Sequence, residues 1–69
     1  MKEVTSSNIS HIGYDAAAKI LKVRFKKGGE YHYFDVPEDV HDSLLTSQSI
    51  GSHFAKNIKN VYQFTKAEQ

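Results

Sequence analysis

Apolar and polar residues alternate along the first half of the chain, most clearly between positions 20 and 26. The apolar positions there are Leu21, Val23 and Phe25, and the polar ones are Lys22, Arg24 and Lys26. A period of two is typical of a strand whose sheet has one covered face and one wet face. Ranges 9–14 and 31–36 predict two further strands. Turn-forming residues at 15–18 and at Gly28-Gly29 join the three into an antiparallel meander.

After Val36 the apolar spacing becomes helical. Pro37 suits the start of a helix because its missing N–H would be unpaired there, and the apolar stripe of that helix is Val40, Leu44 and Leu45. Ser49 is a suitable N-cap for a second helix, with Ile50, Phe54, Ala55 and Ile58 at helical spacing. We therefore predict an α+β fold, a three-stranded antiparallel β-meander followed by two short helices packed on one face.

The length of 69 residues allows one modest core. We expect a single domain over 1–69, ordered from about 6 to 64. Range 61–64 is either a last extended piece or a helix end, and 66–69 is a frayed tail. The sequence contains no cysteine, no signal-like apolar run and no membrane-spanning stretch. These features predict a cytoplasmic protein without a membrane partner.

No catalytic or metal-binding motif is present in the sequence. The four histidines, His11, His32, His41 and His53, are not spaced to place two imidazoles on one strand or helix face. No nucleophile elbow surrounds a serine, and Gly28-Gly29 lacks a phosphate-binding context. We expect no enzymatic activity, no metal and no cofactor.

The chain has a formal net charge of +1, but its charges are segregated. Cations crowd 19–27 and carboxylates crowd 30–42. With a two-residue Gly28-Gly29 turn, Lys26 would lie opposite Tyr31 and Arg24 opposite Tyr33. The outer face would then combine cations with exposed tyrosines, a surface suited to single-stranded nucleic acid.

A three-residue loop, Lys27-Gly28-Gly29, with Gly29 in the left-handed conformation reverses this arrangement. Phe25 would then pair with Tyr31 and Val23 with Tyr33, and both tyrosines would join the core. His32 and Phe34 would move to the basic face. The sequence does not separate the two registers.

An ordered series of short motifs runs along nearly the whole chain. It consists of Ile12-Gly13-Tyr14-Asp15, Leu21-x-Val23-x-Phe25, a glycine at 28 or 29, Tyr31-x-Tyr33, Val36-Pro37, Ser49-x-Gly51-x-x-Phe54 and Ile58-x-x-x-Tyr62. Over about positions 6 to 64 this series resembles the KTSC domain, a small domain named after the C-terminal region of some lysyl-tRNA synthetases. The resemblance makes Tyr31 and Tyr33 the Tyr-x-Tyr hallmark. It implies no established role, and an RNA-binding role only through the association with a tRNA-handling enzyme.

Two functional hypotheses follow. The first is a non-catalytic RNA-binding module, for tRNA or single-stranded RNA. Its candidate residues are Lys22, Arg24, Lys26, Lys27, Tyr31, His32 and Tyr33, with Lys56 and Lys59 as additional cations. The alternative is a protein-interaction module that docks another chain or a second copy through a strand edge or the C-terminal helix pair.

Overall fold

A computed structural model describes residues 2–67, which form one antiparallel sheet and two helices. The strands are β1 (Lys2–Glu3), β2 (Ile9–Asp15), β3 (Ile20–Phe25), β4 (Glu30–Tyr33) and β5 (Phe64–Ala67), and the helices are α1 (Glu38–Thr46) and α2 (Ile50–Asn57). The sheet order is β1-β2-β3-β4-β5, with every neighbouring pair antiparallel. Within this range neither helix is long and apolar enough to cross a membrane.

The α+β class, the antiparallel sheet and the two helices are confirmed, but the sheet has five strands where three were predicted. β1 has only two residues, too few to show a period. β5 is largely exposed, so no apolar alternation identifies it. Lys66 and Ala67 belong to β5, which corrects the prediction of a frayed tail there; Glu68 and Gln69 lie outside the described residues.

The core lies between one face of the sheet and the helices. Leu21 and Val23 of β3 are fully buried, as their alternation with polar residues predicts. The other buried hydrophobic residues are Ile9, Ile12, Tyr33, Val36, Leu44, Phe54 and Ile58. The structure therefore has one covered sheet face and one face without helices.

The β3–β4 hairpin decides which side of the sheet each tyrosine faces. Tyr31 pairs with Val23 and Tyr33 with Leu21, so both tyrosines share the core side. This rules out the two-residue Gly28-Gly29 turn. Both tyrosines face the side that the three-residue loop predicts, and Gly29 has the left-handed φ of +74° expected for that loop. The pairing is nevertheless shifted by two residues, because the Phe25 N–H donates to the Gly29 carbonyl at 2.9 Å.

Residues with positive φ shape two turns of the sheet, the one between β2 and β3 and the one after β4. In the β2–β3 turn, Asp15 Oδ1 accepts hydrogen bonds from the N–H groups of Ala17 and Ala18, and Lys19 adopts a φ of 57°. β4 ends at Tyr33, earlier than the predicted limit of 36, because the chain turns at Asp35 with a φ of 58°. This turn directs the chain from the sheet into α1.

Candidate functional site

The sheet face without helices, which we call the open face, carries His11, Lys22, Arg24, Glu30 and His32. Lys22 pairs with His32 and Arg24 with Glu30 across β3 and β4. The side chains at 22 and 24 point away from the core because Leu21 and Val23 point into it. Three predicted site residues, Lys22, Arg24 and His32, therefore do lie on one surface.

Glu30, absent from the predicted set, organises this face. Its carboxylate accepts a hydrogen bond from Arg24 Nη2 at 3.0 Å and one from His32 Nε2 at 2.7 Å. The residue is only 9% exposed although no helix covers it. Arg24 is therefore already paired with an anion, and the open face has mixed charge.

The hydrogen bond from His32 lowers the pKa of Glu30 below its ordinary value, and the Arg24 guanidinium adds to this effect. Burial acts in the opposite direction but is outweighed. The carboxylate is thus held in its charged form, which disfavours the approach of a phosphate to Arg24.

The hallmark tyrosines lie on the opposite side of the sheet, and they differ from each other. Tyr33 is 3% exposed, and burial raises the pKa of its hydroxyl to about 12. It is a core residue, and little of its ring surface is exposed to a ligand. Tyr31 is only partly buried. Of the two tyrosines in the predicted site, Tyr31 alone is accessible.

Tyr31 belongs to a cluster of rings between the sheet and α2. Its ring centroid lies 5.4 Å from that of Phe25 in an edge-on contact and 5.6 Å from that of Phe64. Phe54 of α2 contacts Phe25 at 5.6 Å and Tyr33 at 5.4 Å. Such tilted and edge-on contacts are the arrangements that aromatic rings prefer.

These rings line an open pocket of about 400 Å³, which we call the aromatic pocket. Its lining residues are Asn8, Ile9, Phe25, Gly28, Tyr31, Tyr33, Gly51, Phe54, Ala55, Lys59, Asn60 and Phe64. Phe64 is 52% exposed and forms the outer rim. The pocket thus offers flat apolar surface together with a lysine and two amide side chains.

Lysines stand around the aromatic pocket. Lys59 lines it, and Lys66 Nζ lies 6.0 Å from the centroid of the Tyr31 ring. Lys26 and Lys27 line an adjoining hollow that shares Asn8, Phe25 and Gly28 with the pocket. Lys26 and Lys27 of the predicted site therefore adjoin the aromatic pocket, whereas the cations of the open face are on the other side of the sheet.

Four carboxylates, those of Asp15, Glu38, Asp39 and Asp42, lie near Tyr14, and none of them lines the aromatic pocket. Tyr14 stacks on His41 with centroids 4.8 Å apart, and its hydroxyl donates to the Val36 carbonyl. Burial raises the pKa of Tyr14, and the carboxylates of α1 and Asp15 add to this. Among residues 2–67 no group of three or more His, Cys, Asp or Glu side chains is placed to hold a metal ion.

The sequence interpretation missed Glu30 and Phe64. Glu30 is two residues before His32 on the same strand face, which is a recognisable signal once β4 is known to start at Glu30. Phe64 gave no signal, because its role depends on β5 lying beside Tyr31 and Tyr33.

The fold and site define a small α+β domain in which two helices cover one face of an antiparallel sheet and an aromatic pocket lies between α2 and the sheet. A family model for the KTSC domain matches residues 5–62, and the chain belongs to that family.

Relatives share most of the chain length. A protein of Tsukamurella paurometabola is 47% identical over 51 residues, covering 74% of this chain and 76% of that protein. An uncharacterized protein of Stutzerimonas stutzeri is 41% identical over 61 residues, covering 86% of each. The crystal structure of a KTSC domain protein from Yersinia pestis superposes with a TM-score of 0.95 at 34% identity, over 97% of this chain and 94% of that one.

Proposed function

We propose that the domain is a non-catalytic, cytoplasmic module that binds single-stranded nucleic acid, RNA in the first place. A base enters the aromatic pocket, and the neighbouring phosphates lie against the surrounding lysines. The observation that carries this proposal is the aromatic pocket itself, with Tyr31 and Phe64 beside Lys59 and Lys66. Stacking of a base on an aromatic ring contributes about 1–3 kcal/mol and tolerates any base.

The proposed interface differs from the one inferred from the sequence alone. It keeps Lys26, Lys27, Tyr31 and Lys59 and adds Lys66, Phe25 and Phe64. The residues left out are Lys22, Arg24, His32, Tyr33 and Lys56. Arg24 and His32 are engaged with Glu30, and Tyr33 is buried. A polyanion gains less from a cation that already has a carboxylate partner.

The proposal can be tested by titrating the protein with short single-stranded RNA oligonucleotides. Phe64→Ala should weaken binding by roughly 5- to 100-fold, because it removes one stacking surface. Val61→Ala is the matched control: Val61 is 62% exposed, close to Phe64 in sequence, and not among the residues lining the pocket. Loss of binding in both variants to the same extent would contradict the proposal.

Charge provides a second arm of the same experiment. Lys27→Ala should weaken binding to all sequences and reduce the salt slope by about 0.7, the value for one phosphate contact on a single strand. Lys22→Ala, on the open face, should leave both quantities unchanged. NMR shifts confined to Lys22, Arg24 and His32, or no binding at low salt, would refute the proposed site. DNA of the same sequence tests the preference for RNA.

A further inference from the structure

Within residues 2–67, β5 is an edge strand that pairs with β4 on one side only. The Phe34 N–H donates to the Gln63 carbonyl at 2.9 Å, and the register continues through His32–Thr65 and Glu30–Ala67. Antiparallel pairs alternate between hydrogen-bonded and non-hydrogen-bonded. The N–H and C=O groups of Phe64 and Lys66 therefore point away from β4, toward an edge that no other strand within residues 2–67 covers.

The side chains at this edge also alternate. Phe64 contacts Tyr31 and Tyr33, so it lies on the helix side of the sheet together with Lys66, which lies over Tyr31. Thr65 lies on the open-face side. Phe64 and Val61, at 52% and 62% exposure, are the exposed large hydrophobic residues of the described range. Unpaired backbone and exposed apolar surface thus coincide at one edge.

We propose that two copies of the chain pair through β5 in a two-fold antiparallel arrangement centred on Thr65. Phe64 of each copy then lies opposite Lys66 of the other, with reciprocal backbone hydrogen bonds at both positions. Cation and ring face each other across the strands, a favourable contact. Thr65 meets its own counterpart, which is also a favourable cross-strand pair.

The chemistry of the edge selects this register over its neighbours. A two-fold axis at Lys66 would place the two Lys66 side chains directly opposite each other, and like charges in that position are destabilising. An axis at Phe64 would require residue 62 to pair with Lys66. Tyr62 is still in a turn, since its N–H donates to the Ile58 carbonyl at 3.3 Å. Only the axis at Thr65 satisfies backbone and side chains together.

Edge strands usually avoid pairing with other chains by being short and by carrying lysines. In β5 these two features limit the strength of the contact and specify its register. Four residues provide a small interface, so we expect a dimer that forms only at high protein concentration. In this dimer, Lys66 of the second copy would lie beside the Phe64 rim of the aromatic pocket and add a cation there.

Sedimentation equilibrium from micromolar to near-millimolar protein tests the association. The wild-type chain should change from monomer toward dimer. Lys66→Pro should remain monomeric: the N–H it removes points outward, so pairing with β4 is kept, and edge strands accept proline at such positions. A strict monomer for the wild type at the highest concentration would overturn the proposal.

Disulfide trapping tests the register and does not depend on the proline variant. The chain contains no cysteine, so one introduced thiol reports on one position. Under air oxidation Thr65→Cys should form a covalent dimer much faster than Lys66→Cys or the exposed control Thr5→Cys, because only residue 65 faces itself at a distance that a disulfide spans. Faster trapping through position 66, or equal rates at all three, would overturn the proposed pairing. A chain that stays monomeric and binds an extended peptide of another protein at this edge would also overturn the proposal.

Discussion

Glu30 ties β3 to β4 on the open face, so its removal should destabilise the domain measurably. Glu30→Ala deletes two hydrogen bonds to charged or chargeable partners, at 3.0 Å and 2.7 Å. Buried bonds of this kind contribute about 1.5–3 kcal/mol each. The Arg24 side chain, however, is 43% exposed and that of His32 is 25% exposed.

Because the Arg24 and His32 side chains are partly exposed, the expected loss of stability in Glu30→Ala is smaller than for fully buried bonds. Exposed ion pairs contribute about 0–1 kcal/mol, and both released partners can turn to water. We expect Glu30→Ala to lower the free energy of unfolding by about 1–3 kcal/mol. For a domain of this size that corresponds to a melting temperature lower by roughly 5–20 °C. The exposed Glu3→Ala is the control and should cost less than about 0.5 kcal/mol.

The same bonds predict a pH dependence with a definite sign. The pKa of Glu30 in the folded protein is lowered from 4.5, so its stabilisation is complete above that value and is lost as the pH falls through the folded-state pKa. Glu30→Gln should therefore flatten the acid limb of the stability curve relative to wild type. Urea unfolding followed by circular dichroism at a series of pH values measures this. Identical acid limbs for wild type and Glu30→Gln, or no loss of stability in Glu30→Ala, would refute the reasoning.

Two further predictions concern β4 and its turn. Burial raises the pKa of Tyr33 from 10.0 to about 12. The stability that depends on the neutral Tyr33 hydroxyl is therefore lost as the pH rises from 10 through 12. Tyr33→Phe should make unfolding less sensitive to alkali, as followed by fluorescence at increasing pH. Gly29→Ala should cost about 1–2 kcal/mol in a denaturant titration because Gly29 has a φ of +74°, whereas Gly28→Ala, with open space around the added carbon, should be close to neutral. Equal stability of the two glycine variants would contradict the role assigned to the Gly29 backbone.

The parts of the fold that the sequence predicts are those in which burial follows a period. The alternation of Leu21 and Val23 with Lys22 and Arg24 locates β3 and its buried face correctly. Helical spacing likewise locates α1 and α2. Edge strands lack such a pattern: β1 is too short, and β5 is exposed at three of its four residues.

The candidate site was harder to predict because it depends on contacts distant in sequence. The parity of the hairpin could not be decided from residues 25–31, since both loops use the same glycines. The structure shows the register through the hydrogen bond from the Phe25 N–H to the Gly29 carbonyl. The pocket also requires Phe64 of β5 to lie next to β4, a pairing about thirty residues apart that no local pattern encodes.

The geometry of Tyr31-His32-Tyr33 explains why the site that we propose does not lie on the basic face of β3. Successive strand side chains point to opposite faces, so the tyrosines and His32 cannot share a surface. Once the tyrosines face the helices, the cations of β3 lie on the opposite face with His32 and Glu30. Any cation beside the accessible ring of Tyr31 must then come from a turn, from the segment after α2 or from the edge strand. Lys26, Lys27, Lys59 and Lys66 occupy those places. A polyanion bound at the aromatic pocket would therefore be held by lysines from the loops and from the sheet edge, whereas Lys22 and Arg24, which alternate regularly with the core residues of β3, would contribute least.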